Sequence, residues 1–163
     1  MKIEKMLPEH WDKVDNIYKQ GIESNLSTFR TCVPPWNDWN KSHLQSCRLI
    51  ATEGESIVGW AALTPHGGNC GYKGVAEISI YVDSSYRHNG CGTKLIKELI
   101  LEAEKCGFWT LESIIIAENK PSVELFSKCG FRIVGRREKI GRTPDGIWHD
   151  TIVMEYRNKF GLA

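Results

Sequence analysis

The sequence predicts an α/β protein, a mixed sheet with helices packed on it. Two observations carry the prediction. Short β-branched runs such as "AEISIYV" and "TLESIIIA" alternate with stretches whose apolar residues recur at helical spacing. The order that results is a strand, two helices, three strands, a helix, a strand, a helix and two strands, which interleaves both kinds of element along one chain. Length supplies a third: 163 residues, 41% of them hydrophobic, build one good core but not two ordinary ones, so residues 1–163 read as a single domain.

Taken in order, Ile3 to Met6 reads as a strand, and Pro8 opens a helix to about Gln20, with Trp11, Val14, Ile17 and Tyr18 on one face and Gly21 near its end. The segment "IESNLSTFRTCVPPWNDWNK" has no period. Its Pro34-Pro35 pair bars regular structure before a second helix from about Trp36 to Ser46, so the segment reads as a loop able to line a site. "RLIATEGESIVGWAAL" reads as a hairpin turning at Glu53-Gly54-Glu55, "TPHGGNCGYKG" as a loop, and "AEISIYV" as a strand. In "GTKLIKELILEAEKCGF", Leu95, Ile96, Leu99, Ile100 and Ala103 mark a long helix, with Gly107 as its C-terminal cap. "TLESIIIA" is a strand, "PSVELFSKCGF" a helix begun by Pro121 and ended by Gly130, and "FRIVGRREKI" and "WHDTIVMEYR" are the last two strands.

Composition narrows the function classes. Twenty-one Lys plus Arg against 20 Asp plus Glu leave a net charge of +1, so no global field recruits nucleic acid or an anionic membrane, and any anion site is local. The six cysteines form no CxxC pair and no Cys/His ligand spacing, which predicts free thiols, no metal and a reducing, cytoplasmic setting. The N-terminal "MKIEKMLPEHW" lacks the apolar core of a signal peptide, and no apolar run approaches the roughly 20 residues of a membrane span.

The stretch with the most chemistry is "RHNGCGTKL", Arg87 to Leu95. A helix start presents unpaired N–H groups and partial positive charge, and Gly90 and Gly92 would let a pyrophosphate approach them closely. Arg87 and His88 stand at the mouth, and Thr93 adds a hydroxyl. From these residues alone a plain turn, its glycines supplying positive φ, stays equally open. Neither GxxxxGK[ST] nor GxGxxG fits, since Leu95 stands where the third glycine belongs.

What fits is Arg-X-X-Gly-X-Gly, written here Arg87-His88-Asn89-Gly90-Cys91-Gly92 between a strand and a long helix. In this the chain resembles the Gcn5-related N-acetyltransferases, along nearly its whole length. Within them it is most similar to the phosphinothricin acetyltransferase group, through "IESNLSTFRT", "AEISIYVDSSYRHNGCGTKL", "ENKPSVELFSKCGF" and "GIWHD" in that order. The resemblance implies a mostly antiparallel, twisted sheet of six to seven strands flanked by about four helices. It also implies a homodimer and acetyl-CoA as co-substrate, with direct transfer to the primary amine of a small amino-acid-like acceptor such as phosphinothricin or methionine sulfoximine or sulfone. Acetylation of another amine (a polyamine, an antibiotic or a peptide N-terminus) is the alternative enzyme, and a CoA-binding module without turnover the non-enzymatic one.

The same resemblance implies that Ile80, Tyr81 and Val82 pair their backbone with the pantetheine arm and that His88, Asn89, Gly90, Cys91, Gly92 and Thr93 wrap the pyrophosphate beside Arg87. Asn119 and Ser122 would contact the cofactor, although Asn119 is equally suited to cap the following helix. The amine must lose a proton before attack, and Glu77, at the start of the strand, is the first candidate base, against a merely solvated carboxylate. A backbone N–H near Val82 could stabilise the oxyanion. Phe126 stands where many relatives have a tyrosine acid. His149 is a second titratable candidate, as base, relay or substrate contact, or simply a partner of Asp150. Trp148 either walls the acceptor pocket or is a buried strand tryptophan. Arg30 is placed to clamp an oxyanion or to form a surface or dimer ion pair, and Tyr72 lies in a second acceptor loop. An arginine expected two or three residues before Tyr72 is absent, the chain reading Asn69-Cys70-Gly71-Tyr72, with Lys73 or Arg30 as possible compensation. Cys91 reads as a small loop residue, and Arg136, Arg137, Lys139 and Arg142 as a solvated edge or a contact to the ribose phosphate.

Overall fold

Among the described residues seven strands lie in one sheet in the order β1-β2-β3-β4-β5-β7-β6, from β1 (Lys2–Lys5), β2 (Arg48–Glu53), β3 (Ser56–Pro65), β4 (Val75–Val82), β5 (Thr110–Ile116), β6 (Arg132–Arg142) and β7 (Trp148–Arg157). The computed structural model describes residues 1–159; residues 160–163, the end of the predicted domain, lie outside them. Every neighbouring pair is antiparallel except β4 and β5, so the mixed, mostly antiparallel sheet and its four helices are as the sequence implied.

The helices divide between the two faces. On one, α3 (Cys91–Lys105) and α4 (Lys120–Lys128) cover Ala61, Leu63, Ile78, Leu111, Ile115 and Met154. On the other, α1 (Trp11–Glu23) and α2 (Trp36–Ser42) cover Ile50, Trp60 and Ala62 with Val14, Ile17, Tyr18 and Trp39. Alternation along β3 feeds both cores, as a strand buried on both sides requires. Leu95, Ile96 and Leu99 are fully buried in the first core, each contributing about 1.5–3 kcal/mol.

Three local outcomes depart from the sequence reading. The first helix begins at Trp11, not Pro8, and runs to Glu23, with Gly21 near its end as read; Gly21 is also a packing position, since a Cβ there would collide with the Tyr81 ring. Pro8–His10 is a separate 3-10 turn before it. The second helix stops at Ser42, not Ser46, because buried Arg48 draws the chain into a loop. Its Nε donates to the Leu44 carbonyl (2.5 Å), Nη1 to Asn40 Oδ1 (2.6 Å), and Nη2 to the carbonyls of Asn40 (2.9 Å) and His43 (2.7 Å). The guanidinium also lies 4.9 Å over the Trp39 ring. It thus satisfies carbonyls left without a helical partner where the helix stops. Third, Trp148 is neither buried nor a pocket wall: it is 54% exposed, with Arg142 over its ring at 5.5 Å.

Candidate active site

The one parallel pairing is also the place where the sheet opens. β4 and β5 pair only over Val75–Glu77 and Thr110–Glu112; beyond that, β4 runs on to Val82 and β5 to Ile116 with no register between them. The unpaired groups on β4 follow from alternation. Val75 accepts from His66 N and Asp83 N donates to Val58, both toward β3, so the odd-numbered backbone groups face β3 and those of Ile78, Ile80 and Val82 face the gap. This leaves an edge that an extended chain can pair with. It also corrects one expectation: the Tyr81 backbone is turned to β3, where Trp60 is its partner, and Tyr81 contributes only its side chain to the gap.

A cleft of about 620 Å³ runs along this edge to the start of α3, lined by Ile80, Val82, Arg87, His88, Gly90, Cys91, Gly92 and Thr93 on one side and by Asn119, Ser122, Leu125 and Lys128 on the other. Of the predicted loop residues, Asn89 does not line it. Gly90 caps α3 at φ 77° without a side-chain hydrogen bond, so the first N–H groups of the helix are left for a ligand. A Cβ on Gly90 would meet nothing within 4 Å, so that glycine is required by its left-handed backbone. A Cβ on Gly92 would lie 2.8 Å from Leu125 Cδ2 of α4, so a side chain there would make the leucine shift. Turn and cradle are one structure. Gln20 fixes its entrance, donating to Asp83 Oδ2 and accepting from Ser84 N, each at 2.9 Å. Cys91 is buried, and burial holds its thiol at about 11, which suits packing and not nucleophilic attack.

A second cavity of about 570 Å³ meets this cleft at Ser27, Ile80, Tyr81, Asn119 and Ser122. Glu77 and Arg30, predicted from sequence, line it together with Phe126. Burial, and after it the charge of Glu112, pushes the Glu77 carboxyl up, against the pull of His66 and Arg137. Glu112 is the Cα partner of Glu77 on β5, and His66 Nδ1 lies 2.9 Å from its Oε2. Asn119 both caps α4, accepting from Ser122 N (3.3 Å), and donates Nδ2 to the Leu26 carbonyl (3.1 Å), which ties the early loop across the opening. Phe29 of that loop packs where a Cβ on Gly141 would stand, with its ring 6.2 Å from that of His149.

Two predicted site residues fall outside this cavity. Tyr72 is 52% exposed, its ring 5.2 Å from that of His66, and does not line it. His149 sits behind the wall, Nε2 3.2 Å from Thr143 Oγ1 and Nδ1 3.2 Å from Glu118 Oε1 but not aligned for a hydrogen bond. Asp150 is not its partner, being held by Arg136 Nε (2.6 Å) and Lys139 N (2.8 Å). The sequence reading missed Thr64, Ser113 and Thr151, which line the cavity from strands whose alignment only the sheet register reveals, and His43, which lines it from the end of α2. His43 stacks on Trp39 at 4.1 Å, and burial, its largest perturbation, holds it at about 4, so it is neutral at pH 7. Among the described residues no group of three or more His, Cys, Asp and Glu could hold a metal.

The arrangement offers N–H donors to an anion, a strand edge to an extended arm, and a half-buried carboxylate in the second cavity, which adjoins that edge. Residues 11–131 match the family model described as Acetyltransferase (GNAT) family. The chain belongs to that family. This acetyltransferase is 35% identical over 132 residues to the Bacillus subtilis (strain 168) protein named "Putative phosphinothricin acetyltransferase YwnH", covering 77% of this chain and 81% of that one. A crystal structure of a ribosomal-protein-alanine N-acetyltransferase from Brucella melitensis matches it with TM-score 0.89 and 27% identity, over 97% of this chain and 100% of that one. A GNAT superfamily phosphinothricin acetyltransferase from Sinorhizobium meliloti, crystallised in complex with acetyl-CoA, shares the fold (TM-score 0.86, 20% identity, 96% and 87% covered).

Proposed function

We propose that this acetyltransferase is one catalytic domain that moves acetyl from acetyl-CoA directly to the primary amine of a small amino-acid-like acceptor. The observation that carries the reading is the meeting of the two cavities beside the free β4 edge, with Glu77 lining the acceptor side. The residues fit the co-substrate. The uncapped start of α3 suits a pyrophosphate, with Arg87 and Thr93 beside it, and Ile80 and Val82 offer backbone partners to the pantetheine arm. When bound, acetyl-CoA supplies an acyl carbon activated as a thioester.

Glu77 takes the proton that the acceptor's ammonium must lose. Burial, and after it the charge of Glu112, make it a better base than a solvated carboxylate. The Val82 N–H faces the gap and is fixed there before reaction, which suits it to hold the developing oxyanion. Arg30, which forms no ion pair among the described residues, attracts the acceptor's carboxylate. Phe126 carries no proton, so the departing thiolate relies on its own modest basicity. His149 we assign a positioning role, holding Phe29 and the early loop over the cavity.

A cavity bounded by the early loop favours a small acceptor over a protein N-terminus, the activity named for the Brucella relative. Thiol release against phosphinothricin, methionine sulfoximine, methionine sulfone, free amino acids, polyamines, aminoglycosides and an alanine-terminated peptide tests this. Turnover confined to the amino-acid compounds is expected; turnover of the peptide alone would overturn it. A cytoplasmic homodimer completes the proposal. No helix of the described residues is long and apolar enough to cross a membrane, and the edge strand β6 exposes Ile133, Val134 and Ile140.

A further inference from the structure

One polar group of the acceptor cavity has no task in this scheme. Thr151 is 2% exposed, and its hydroxyl has no hydrogen-bond partner among the described residues, yet it lines the cavity. A dry, unpaired hydroxyl is a cost that valine, of nearly the same shape, would not carry, which marks Thr151 as a donor awaiting a ligand.

Register supplies its surroundings. Thr151 on β7 is the Cα partner of Ile116 on β5 and of Arg137 on β6, and partners of this kind share a face of the sheet. Of the β6 arginines, Arg132 is held by Glu155, Arg136 by Asp150, and Arg142 lies over Trp148. Arg137 has no ion pair among the described residues, and its charge is felt at Glu77. From Glu77, Thr151 is two strands across and four residues along, roughly 16 Å between Cα atoms at ordinary strand spacings. After both side chains have reached inward, that span is too long for two groups on one carbon, and it suits an amine and an oxygen at the far end of an acceptor side chain.

We propose that Thr151, supported by the charge of Arg137, forms a subsite for a distal oxo group of the acceptor, such as a side-chain phosphinate, sulfone or carboxylate. The inference rests on the acetyltransferase reading above and gives its acceptor a second anchor. It also answers for Asn69, where the resemblance led one to expect an arginine: with Tyr72 outside the cavity, the loop before β4 is not where the acceptor's oxygens are held. The hydroxyl donates to the oxo group, and Arg30 is left for the carboxylate next to the amine.

Methionine and methionine sulfone differ only in two distal oxygens, so the ratio of their kcat/KM values reads the subsite directly. In Thr151→Val that preference for the sulfone should fall about five- to tenfold, chiefly through KM, and for a charged phosphinate the KM should rise tenfold or more. Thr151→Ser should restore the preference, and the Val variant should melt no lower than wild type, which separates lost recognition from lost structure. An unchanged ratio in a folded Val variant, or a wild type that does not prefer the sulfone, would overturn the subsite and leave the acetyltransferase reading intact. Turnover of neither compound by wild type would overturn the amino-acid acceptor and the subsite with it.

Discussion

Glu77→Gln keeps the size and hydrogen-bonding of the side chain and removes only its charge and basicity. A primary amine of pKa about 10 is neutral in only about one molecule in a thousand at pH 7. If Glu77 collects the proton inside the complex, the variant must wait for that fraction, and kcat/KM at pH 7 should fall by up to about 10³-fold, within the 10²–10⁴ range of general bases. The deficit should shrink about tenfold per pH unit and be less than tenfold by about pH 9.5. Stability should move the opposite way. The Glu77 pKa is raised on folding, so the native state holds its proton more tightly, and ionisation costs stability as pH rises from the unfolded value through the folded one. Gln escapes that cost, so the variant should be more stable than wild type at pH 7, with the advantage gone below about pH 4. Thiol-release rates from pH 6 to 9.5 with denaturant melts at pH 4 and 7 check both. A rate deficit independent of pH would refute Glu77 as the base.

Other perturbations separate the structural tasks of the site. Gly90→Ala, with open space but φ 77°, should cost about 1–2 kcal/mol of stability and weaken acetyl-CoA binding, and Gly90→Asn should recover much of both, read by calorimetry. Asn119→Ala removes the cap of α4 and the tie to Leu26, so a loss of about 0.5–2 kcal/mol in denaturant should accompany a higher KM for both substrates. Arg48→Met strands the carbonyls of Asn40, His43 and Leu44, and a loss of about 2–4 kcal/mol is expected in denaturant melts, with the acceptor KM raised because His43 lines the cavity.

Local signals carried well wherever the governing interaction was local. The long helix, the Asn119 cap and the order of strands and helices along the chain could be read from periodicity and turn residues, because propensity and burial agree there. Where a distant residue decides, the sequence was silent. Nothing near Ser42 says that the helix ends there; Arg48, across the loop, does. Gly21 does lie near the end of its helix, but nothing local says that the Tyr81 ring packs over it. Asp150 follows His149 in sequence, but neighbours on a strand point to opposite faces, so it pairs with Arg136 while His149 turns toward Glu118 and Thr143. The same alternation places Thr151 in the cavity, and no motif marks it.

The carboxylate proposed as the base and the opening of the sheet are consequences of one choice of register. Parallel pairing between β4 and β5 ends at Glu77 and Glu112, so the last bonded pair of residues is a pair of carboxylates at the vertex of the gap. A hydrophobic pair there would let the strands go on zipping together, whereas two acidic side chains on one face repel. His66, 2.9 Å from Glu112, counters that repulsion on the solvent side and leaves Glu77 as the member that faces the cavity. The repulsion that helps stop the strands from pairing also raises the Glu77 carboxyl. Glu112→Gln therefore relieves both at once: the Glu77-dependent limb of the pH–rate profile should move to lower pH, and the fold should gain stability at pH 7. An unmoved limb in Glu112→Gln would mean that burial alone sets the basicity of Glu77, and that the carboxylate pair serves the splay and not the chemistry.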